Sequence, residues 1–560
     1  MTNAKGGSIT GAKFGAFLEG GFSQLANYGA ISGGSYDGVV LGLGGTVTNA
    51  AGATITGASN GVYGKYRAAV TVTNSGTIST TTSGAGVDLA DGGSFTNNAG
   101  ASVSGADHGV FIIQAANSPA TPATGTVTNW GKVSGGRYHG IHLGVNGTVT
   151  NEAGASVSGG SAGIYVGKAA VGAAVTNMGT VTATAAAGAG ADLENGGTLD
   201  NKAGASFSGG GFGVFVTGAA GTVTNSGTMS GAHGVGLQAG GSLVNNANAT
   251  IQGQAAGVFA QGAPTAVTTS GSITATASGA AGADVEGGGT ITNNAGATLS
   301  GTSFGVFLSG GGTVVNAGTI GGASYAVKFS GSGTNNRLVV QPGAVFNGAA
   351  GGASGGSNTL EFAGGSGTLS GVSGGSGSVT QGGQSWSFFG GFGTVQVDAG
   401  GNWTFSGTDS VATVLNNGTT TINGSLDVTS AIDPASSGLF QIGTGSTLET
   451  AAATGAGAQI GFIGNGTLTI DNFAAFGTNP GSSSYTGPLL ESFASGDSID
   501  LKNFSASGLS APVLDPSSGR LQLSNGVGQA ATLLFQVSSL GTGTLQAVSD
   551  GGSGTRVSLA

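Results

Sequence analysis

The sequence predicts an all-β fold, a right-handed parallel β-helix (a solenoid) with about 24 residues per coil. Three observations predict it. First, an asparagine recurs at Asn3, Asn27, Asn49, Asn74, Asn97, Asn129, Asn151, Asn177, Asn201, Asn225, Asn245, Asn293 and Asn316, with Thr269 standing in once. Second, short runs of alternating side chains lie between these marks, bounded by glycine and asparagine. Third, glycine makes up 120 of the 560 residues and no helix-period apolar stripe interrupts the pattern. One unit has too few apolar side chains to enclose a core; stacked copies have enough. The hand follows from the crossover rule for parallel strands.

Residues 147–167 show the unit, with strands expected at Thr148 to Asn151, Ser156 to Ser158 and Ile164 to Val166. The strand period of two points Val47, Val72, Phe95, Val127, Val149, Val175, Leu199, Val223, Leu243, Val267 and Ile291 inward from the first strand. The second strand contributes Ile9, Ile55, Val103, Val157, Phe207, Ile251 and Leu299, and the third contributes pairs such as Ile164 with Val166. At ~4.8 Å per coil, the regular array is a rod of roughly 60 Å.

Two kinds of unit alternate. One follows its asparagine with an Ala-Gly-Ala-like link (Asn49 to Ala53, Asn201 to Ala205), and the other is shorter (Asn74-Ser-Gly-Thr, Asn225-Ser-Gly-Thr). The links of the short kind alternate again, giving a super-repeat of four coils. The asparagine itself has two structural readings, an internal amide ladder or a turn former tolerant of left-handed backbone. Three regions result: a regular β-helix with the four-coil super-repeat over 1–332, an irregular continuation over 333–485, and a C-terminal β-rich cap over 486–560 that covers the open end.

Charge excludes some partners. Twenty-three acids against 13 bases give -10, thinly spread, so no basic patch exists for nucleic acid. The absence of cysteine fits a secreted chain. The first ten residues have no signal-peptide core, and Met1 to Asn3 reads as the end of a strand, as if the chain began inside a longer array.

The most informative position is the centre of the third strand, which runs Phe17, Val40, Tyr63, Asp88, Phe111, His142, Tyr165, Asp192, Phe215, Gly236, Phe259, Asp284, Phe307 and Lys328. Charges here would be costly inside, so the position faces out. Phe17, Tyr63, Phe111, Tyr165, Phe215, Phe259 and Phe307 then form a candidate ligand-binding stripe suited to the apolar faces of sugars, unless the rings simply pack on flanking side chains. Asp88, Asp192, Glu194, Asp284 and Glu286 form a candidate acidic stripe. The Asp192/Glu194 and Asp284/Glu286 spacing, near 7 Å, falls in the window of an inverting glycosidase. But the motif repeats along the array, which one active site would not do, so a solvated face is expected, with weak calcium binding as the lesser reading. No catalytic residues and no cofactor are expected. His139 and His142 are three apart and need not converge; with four histidines and no cysteine, no zinc site is expected. The Thr-x-Thr pairs are too interrupted to suggest an ice-binding surface.

Thr71 to Ile78 (Thr-Val-Thr-Asn-Ser-Gly-Thr-Ile), Thr222 to Met229 and Asn336 to Ala349 resemble passenger domains of Gram-negative autotransporter adhesins, and more loosely filamentous-haemagglutinin-type surface proteins. Asn358 to Gly371 and Gly464 to Ile470 look like the coarser coils that follow in such proteins. The resemblance implies an extracellular or outer-membrane surface location, adhesion to glycans or cell-surface proteins, self-association between rods, and export through a β-barrel or another machine. The chain ends at Arg556 to Ala560 without barrel strands, a departure from the family pattern. A structural spacer or stalk is the alternative function; a polysaccharide lyase or hydrolase ranks below both, for want of a unique acid–base cluster.

Overall fold

The computed structural model describes residues 1–65, 68–115 and 123–560. The chain is an all-β parallel solenoid of right-handed type, with about 20 turns of about 23 residues. Single 3₁₀ turns at Phe473–Ala475 and Val537–Ser539 are the helical pieces among the described residues, and no helix there is long and apolar enough to cross a membrane. The chain divides into two compact units, Met1–Ser309 with Gly321–Ala323, and Gly310–Ile320 with Ser324–Ala560.

In the first unit a coil typically lays down three short strands, as at Asn146–Asn151, Ser156–Gly159 and Ala162–Val166, and at Thr228–Leu237 and Thr250–Ala260 the second and third run together. Equivalent residues stack in register, so Val127, Val149 and Val175 form one parallel column and Val133, Val157 and Val181 another. The inward residues expected of the first and third strands are buried. In the second strand Ile9 is the exception: it sits in the first coil and stays half-exposed. Each of the others, once enclosed, contributes about 1.5–3 kcal/mol, and parallel stacking lets neighbouring coils share that burial.

The asparagines form the amide ladder and also bond to the adjoining turn, but none of the ladder asparagines adopts the left-handed backbone that the second reading invoked. From Asn3 to Asn245 each side-chain amide donates to the side-chain oxygen one coil on, at 2.7–3.1 Å, the last acceptor being the Thr269 hydroxyl. The ladder beyond Asn3 is fully enclosed. In short units the same oxygen accepts a backbone N–H two residues on, as from Gly76 to Asn74, Gly131 to Asn129 and Gly227 to Asn225. In long units the amide instead reaches the carbonyl four residues on, as from Asn49 to Ala53 and Asn201 to Ala205. The extra residue of the long unit closes a turn whose third residue is left-handed: Gly52, Gly100, Gly154 and Gly204 have φ of 76–79°. Asn248, the one substitute in that position, adopts φ 65°, as asparagine tolerates.

The second unit stacks Gly312–Asn316, Asn336–Val340, Asn358–Phe362 and Phe392–Val397 in parallel, but with larger side chains inside. Trp403 stacks on Phe362 with ring centres 3.8 Å apart and donates its indole N–H to the Gly364 carbonyl. An antiparallel excursion, Ser366–Ser373, Ser376–Gln381 and Gln384–Phe389, projects from this column. Near the C-terminus Thr555–Leu559 pairs antiparallel with both Ser498–Leu501 and Leu545–Ser549. Antiparallel closure occupies strand edges that parallel stacking leaves open.

Candidate functional site on the outward face of the third strands

The third strand follows one local formula: an outward residue, glycine, an inward residue, a second outward residue, an inward residue. His108-Gly-Val-Phe111-Ile, His139-Gly-Ile-His142-Leu and Phe212-Gly-Val-Phe215-Val are examples. Glycine is required because the backbones run too close for a side chain: a Cβ on Gly109 would stand 2.5 Å from the Gly140 carbonyl oxygen. The glycine and the residue after it are both buried, and the half-exposed residues on either side, three apart, bring their rings together. Two outward columns therefore run side by side, where the sequence reading followed one.

The stripe residues occupy the column expected of them. Phe17 is 42% exposed, whereas Tyr63, Phe111, Tyr165, Phe215, Phe259 and Phe307 are half-buried. The neighbouring column supplies the cover. Phe17 packs on Phe14, Phe215 on Phe212, Phe259 on His233 and Phe307 on Phe304, with ring centres 4.2–5.4 Å apart. Phe111 meets His108 and His142, and Tyr165 lies flat on His139 at 4.3 Å. Lys65 sits 4.5 Å over the Phe17 ring. The rings thus present edges to solvent more than free faces.

The acidic column departs from the solvated face expected of it. In register, Asp88 lies between Tyr63 and Phe111, Asp192 between Tyr165 and Phe215, and Asp284 between Phe259 and Phe307. One oxygen of each carboxyl is buried without a hydrogen-bond partner among the described residues. Burial between rings pushes their pKa up, to about 7 for Asp88 and about 6 for Asp192 and Asp284, and Glu194 and Glu286 add repulsion at the latter two. Of the glutamates, Glu286 is exposed and accepts from Gln261, and Glu194 is half-buried like Asp192.

The histidines correct the sequence reading. His139 and His142 do converge, flanking the buried Gly140 and Ile141 with ring centres in contact, and the adjacent coil above adds His108. Ring centres are 5.2 Å apart for His108 and His139, 5.6 Å for His108 and His142, and 5.3 Å for His139 and His142. One ring nitrogen from each lies within 4.8 Å of one from both others. The Nδ1 atoms of all three are buried without a hydrogen-bond partner among the described residues. Burial lowers the pKa of all three, to about 4 for His139 and about 3 for His142, where repulsion from the neighbouring histidines adds to it, while at His108 the Asp107 carboxylate partly opposes it; all three are neutral at pH 7. The sequence signal was the paired formula itself, His139-Gly-Ile-His142 beneath His108-Gly-Val-Phe111.

Away from this face, a recess of about 360 Å³ is lined by Gly209, Ser230, Gln252, Gln254 and Thr276. It holds no titratable side chain in its lining and lies apart from both columns. No protein-family model, curated protein sequence or solved structure matches the chain.

Proposed function

We propose that this chain is an adhesin-type scaffold of the bacterial cell surface or its surroundings, which presents the outward third-strand face of its first unit to glycans or cell-surface proteins. The observation that carries this reading is the column in which an aromatic ring recurs on every second coil from Phe17 to Phe307, with Asp88, Asp192 and Asp284 each set between two of the rings. Ring edges offer apolar contact and the carboxyls offer hydrogen bonds, at a spacing of ~9.6 Å between rings. A ladder of identical coils also makes any contact multivalent, so weak individual contacts sum along the array. The autotransporter resemblance of Thr71 to Ile78 and Asn336 to Ala349 agrees with this role.

A second reading has its own observation. Every one of the paired rings named above packs on a neighbour from the flanking column, which is what a spacer stiffening its own surface would do.

The two readings separate in a glycan-array and cell-binding comparison of the parent with a variant carrying Tyr63→Ser, Phe215→Ser, Phe259→Ser and Phe307→Ser, which leaves intact Phe111 and Tyr165, the rings packed on His108, His139 and His142. Circular dichroism checks that both are β-rich. The adhesin reading expects binding by the parent and its loss in the variant. Absence of binding by the parent, or equal binding by both, favours the spacer.

A further inference from the structure

We infer that His108, His139 and His142 form a binding site for one divalent transition-metal cation of the zinc class, with the fourth coordination position open to water. The inference stands on geometry and chemistry independent of the adhesin reading. Three imidazoles from two adjacent coils offer ring nitrogens within 4.8 Å of one another. Bound to Zn²⁺ at about 2.0–2.1 Å in a tetrahedral arrangement, such nitrogens would stand about 3.4 Å apart. Small side-chain rotations close that difference, and the backbone that carries the rings is already fixed by parallel pairing of Val110 with Ile141 and Phe111 with His142.

The buried Nδ1 atoms without partners are the second observation. A buried polar nitrogen left unpaired costs about 1–3 kcal/mol, and each of three clustered imidazoles carries one, a cost that a shared cation relieves wherever a ring turns that nitrogen to it. The surroundings orient the rings without consuming their nitrogens. Tyr138 lies over His108 at 5.3 Å and Tyr165 lies flat on His139 at 4.3 Å, so two of the three imidazoles are held by aromatic faces. Phe111 and Tyr165 both meet His142 edge-on at 4.6 Å. Imidazole donors without a thiolate favour zinc, copper, nickel and cobalt over calcium or magnesium, which seek oxygen. Because the cluster is half-buried, a bound ion keeps access to water, the arrangement of a site with three protein ligands and an exchangeable fourth.

His233 supplies the internal control. It is also half-buried, with its Nδ1 unpartnered among the described residues, but it packs between Phe212 and Phe259 with no second imidazole beside it.

The test is competition of the metal-stripped full chain against a chromogenic chelator for Zn²⁺, with Co²⁺ as a spectroscopic probe. The expected result is one equivalent of Zn²⁺ bound, visible d–d bands of four-coordinate cobalt, loss of affinity of about 100-fold or more in His139→Gln and in His142→Gln, and no change in His233→Gln. Denaturant midpoints establish that the variants fold. Should a ligand variant not fold, Cu²⁺ bound to the parent gives the answer by electron paramagnetic resonance, through coupling to imidazole nitrogens. Absence of saturable Zn²⁺ binding by the parent, binding retained in His142→Gln, or copper without nitrogen coupling would each overturn the assignment.

Discussion

Replacing Asn177 tests the amide ladder at a point where every hydrogen bond is known. Asn177 accepts from Asn151 at 2.8 Å, donates to Asn201 at 3.0 Å and to the Ser206 carbonyl at 3.0 Å, and accepts from the Gly179 N–H at 3.1 Å. Asn177→Ala removes all four. Asn151 keeps a second acceptor, the Thr180 carbonyl, but the Asn201 oxygen, the Ser206 carbonyl and the Gly179 N–H each lose a partner in an enclosed place. At about 1–3 kcal/mol for each of the three buried groups left unpaired, the cost is about 3–9 kcal/mol, towards the lower end where water enters the gap. Asn177→Thr has a precedent within the chain: the Thr269 hydroxyl accepts both from Asn245 and from the Gly271 N–H. Threonine preserves the two accepting roles and loses the donating ones, so it should cost about half as much as alanine. Because a repeat array unfolds in parts, the readout is hydrogen exchange followed by mass spectrometry over residues 174–208, with denaturant midpoints as support. Faster exchange confined to those coils, ordered alanine over threonine over parent, is expected. Equal protection in all three proteins would refute the ladder as a source of stability.

The remaining predictions address the outward columns and the turns. Asp192→Asn and Asp284→Asn should each stabilise the fold above pH 6 and lose that advantage towards pH 4. A carboxyl raised to about 6 holds its proton longer in the folded chain than in the unfolded one, so folding stability falls as pH rises from 3.8 to about 6. The unscreened figure is about 3 kcal/mol, and partial exposure brings it to about 1–2 kcal/mol per site. The neutral histidines act with the opposite sign, weakening the fold as pH drops below 6.5, but they are common to parent and variant and cancel in the difference of denaturant midpoints. A gain that is equal at pH 4 and pH 8 would sink the assignment. Gly204→Ala should destabilise by about 1–2 kcal/mol, because φ 79° strains any residue with a Cβ, whereas Asn248→Gly at the same turn position should change the thermal midpoint little.

The fold was legible because its signals repeat. Val127, Val149 and Val175 each say little alone, but one apolar residue at one place in every coil admits few arrangements other than a stacked parallel column. The asparagine pattern marked the coil boundary but not the bond it makes, since turn formation and amide stacking call for the same residue; the structure shows that Asn74 and Asn225 do both. The candidate site was half legible. Alternation along the third strand located Tyr165 and Asp192, but strict alternation would send His139 and His142 to opposite faces. In the structure Gly140 and Ile141 are both buried, the two histidines flank them with rings in contact, and contact across coils joins them to His108. The burial of Asp88, Asp192 and Asp284 was hidden for the same reason: their cover comes from rings about 23 residues away in sequence.

The ladder also acts as a ruler that ignores how much chain lies between its marks. Asn225 and Asn245 are 20 residues apart and Asn97 and Asn129 are 32 apart, yet each pair makes the same amide contact at 2.8–2.9 Å. Length differences are therefore absorbed at the corners, and the pitch is unaffected. A lineage carrying such an array can lengthen one corner at a time, trying new surface on an otherwise unchanged coil. An engineer can do the same: the corner between Val166 and Ala174, where Val171 is 62% exposed and the flanking Asn151 and Asn177 keep their 2.8 Å amide contact, is where a foreign peptide should be carried without disturbing the coils on either side.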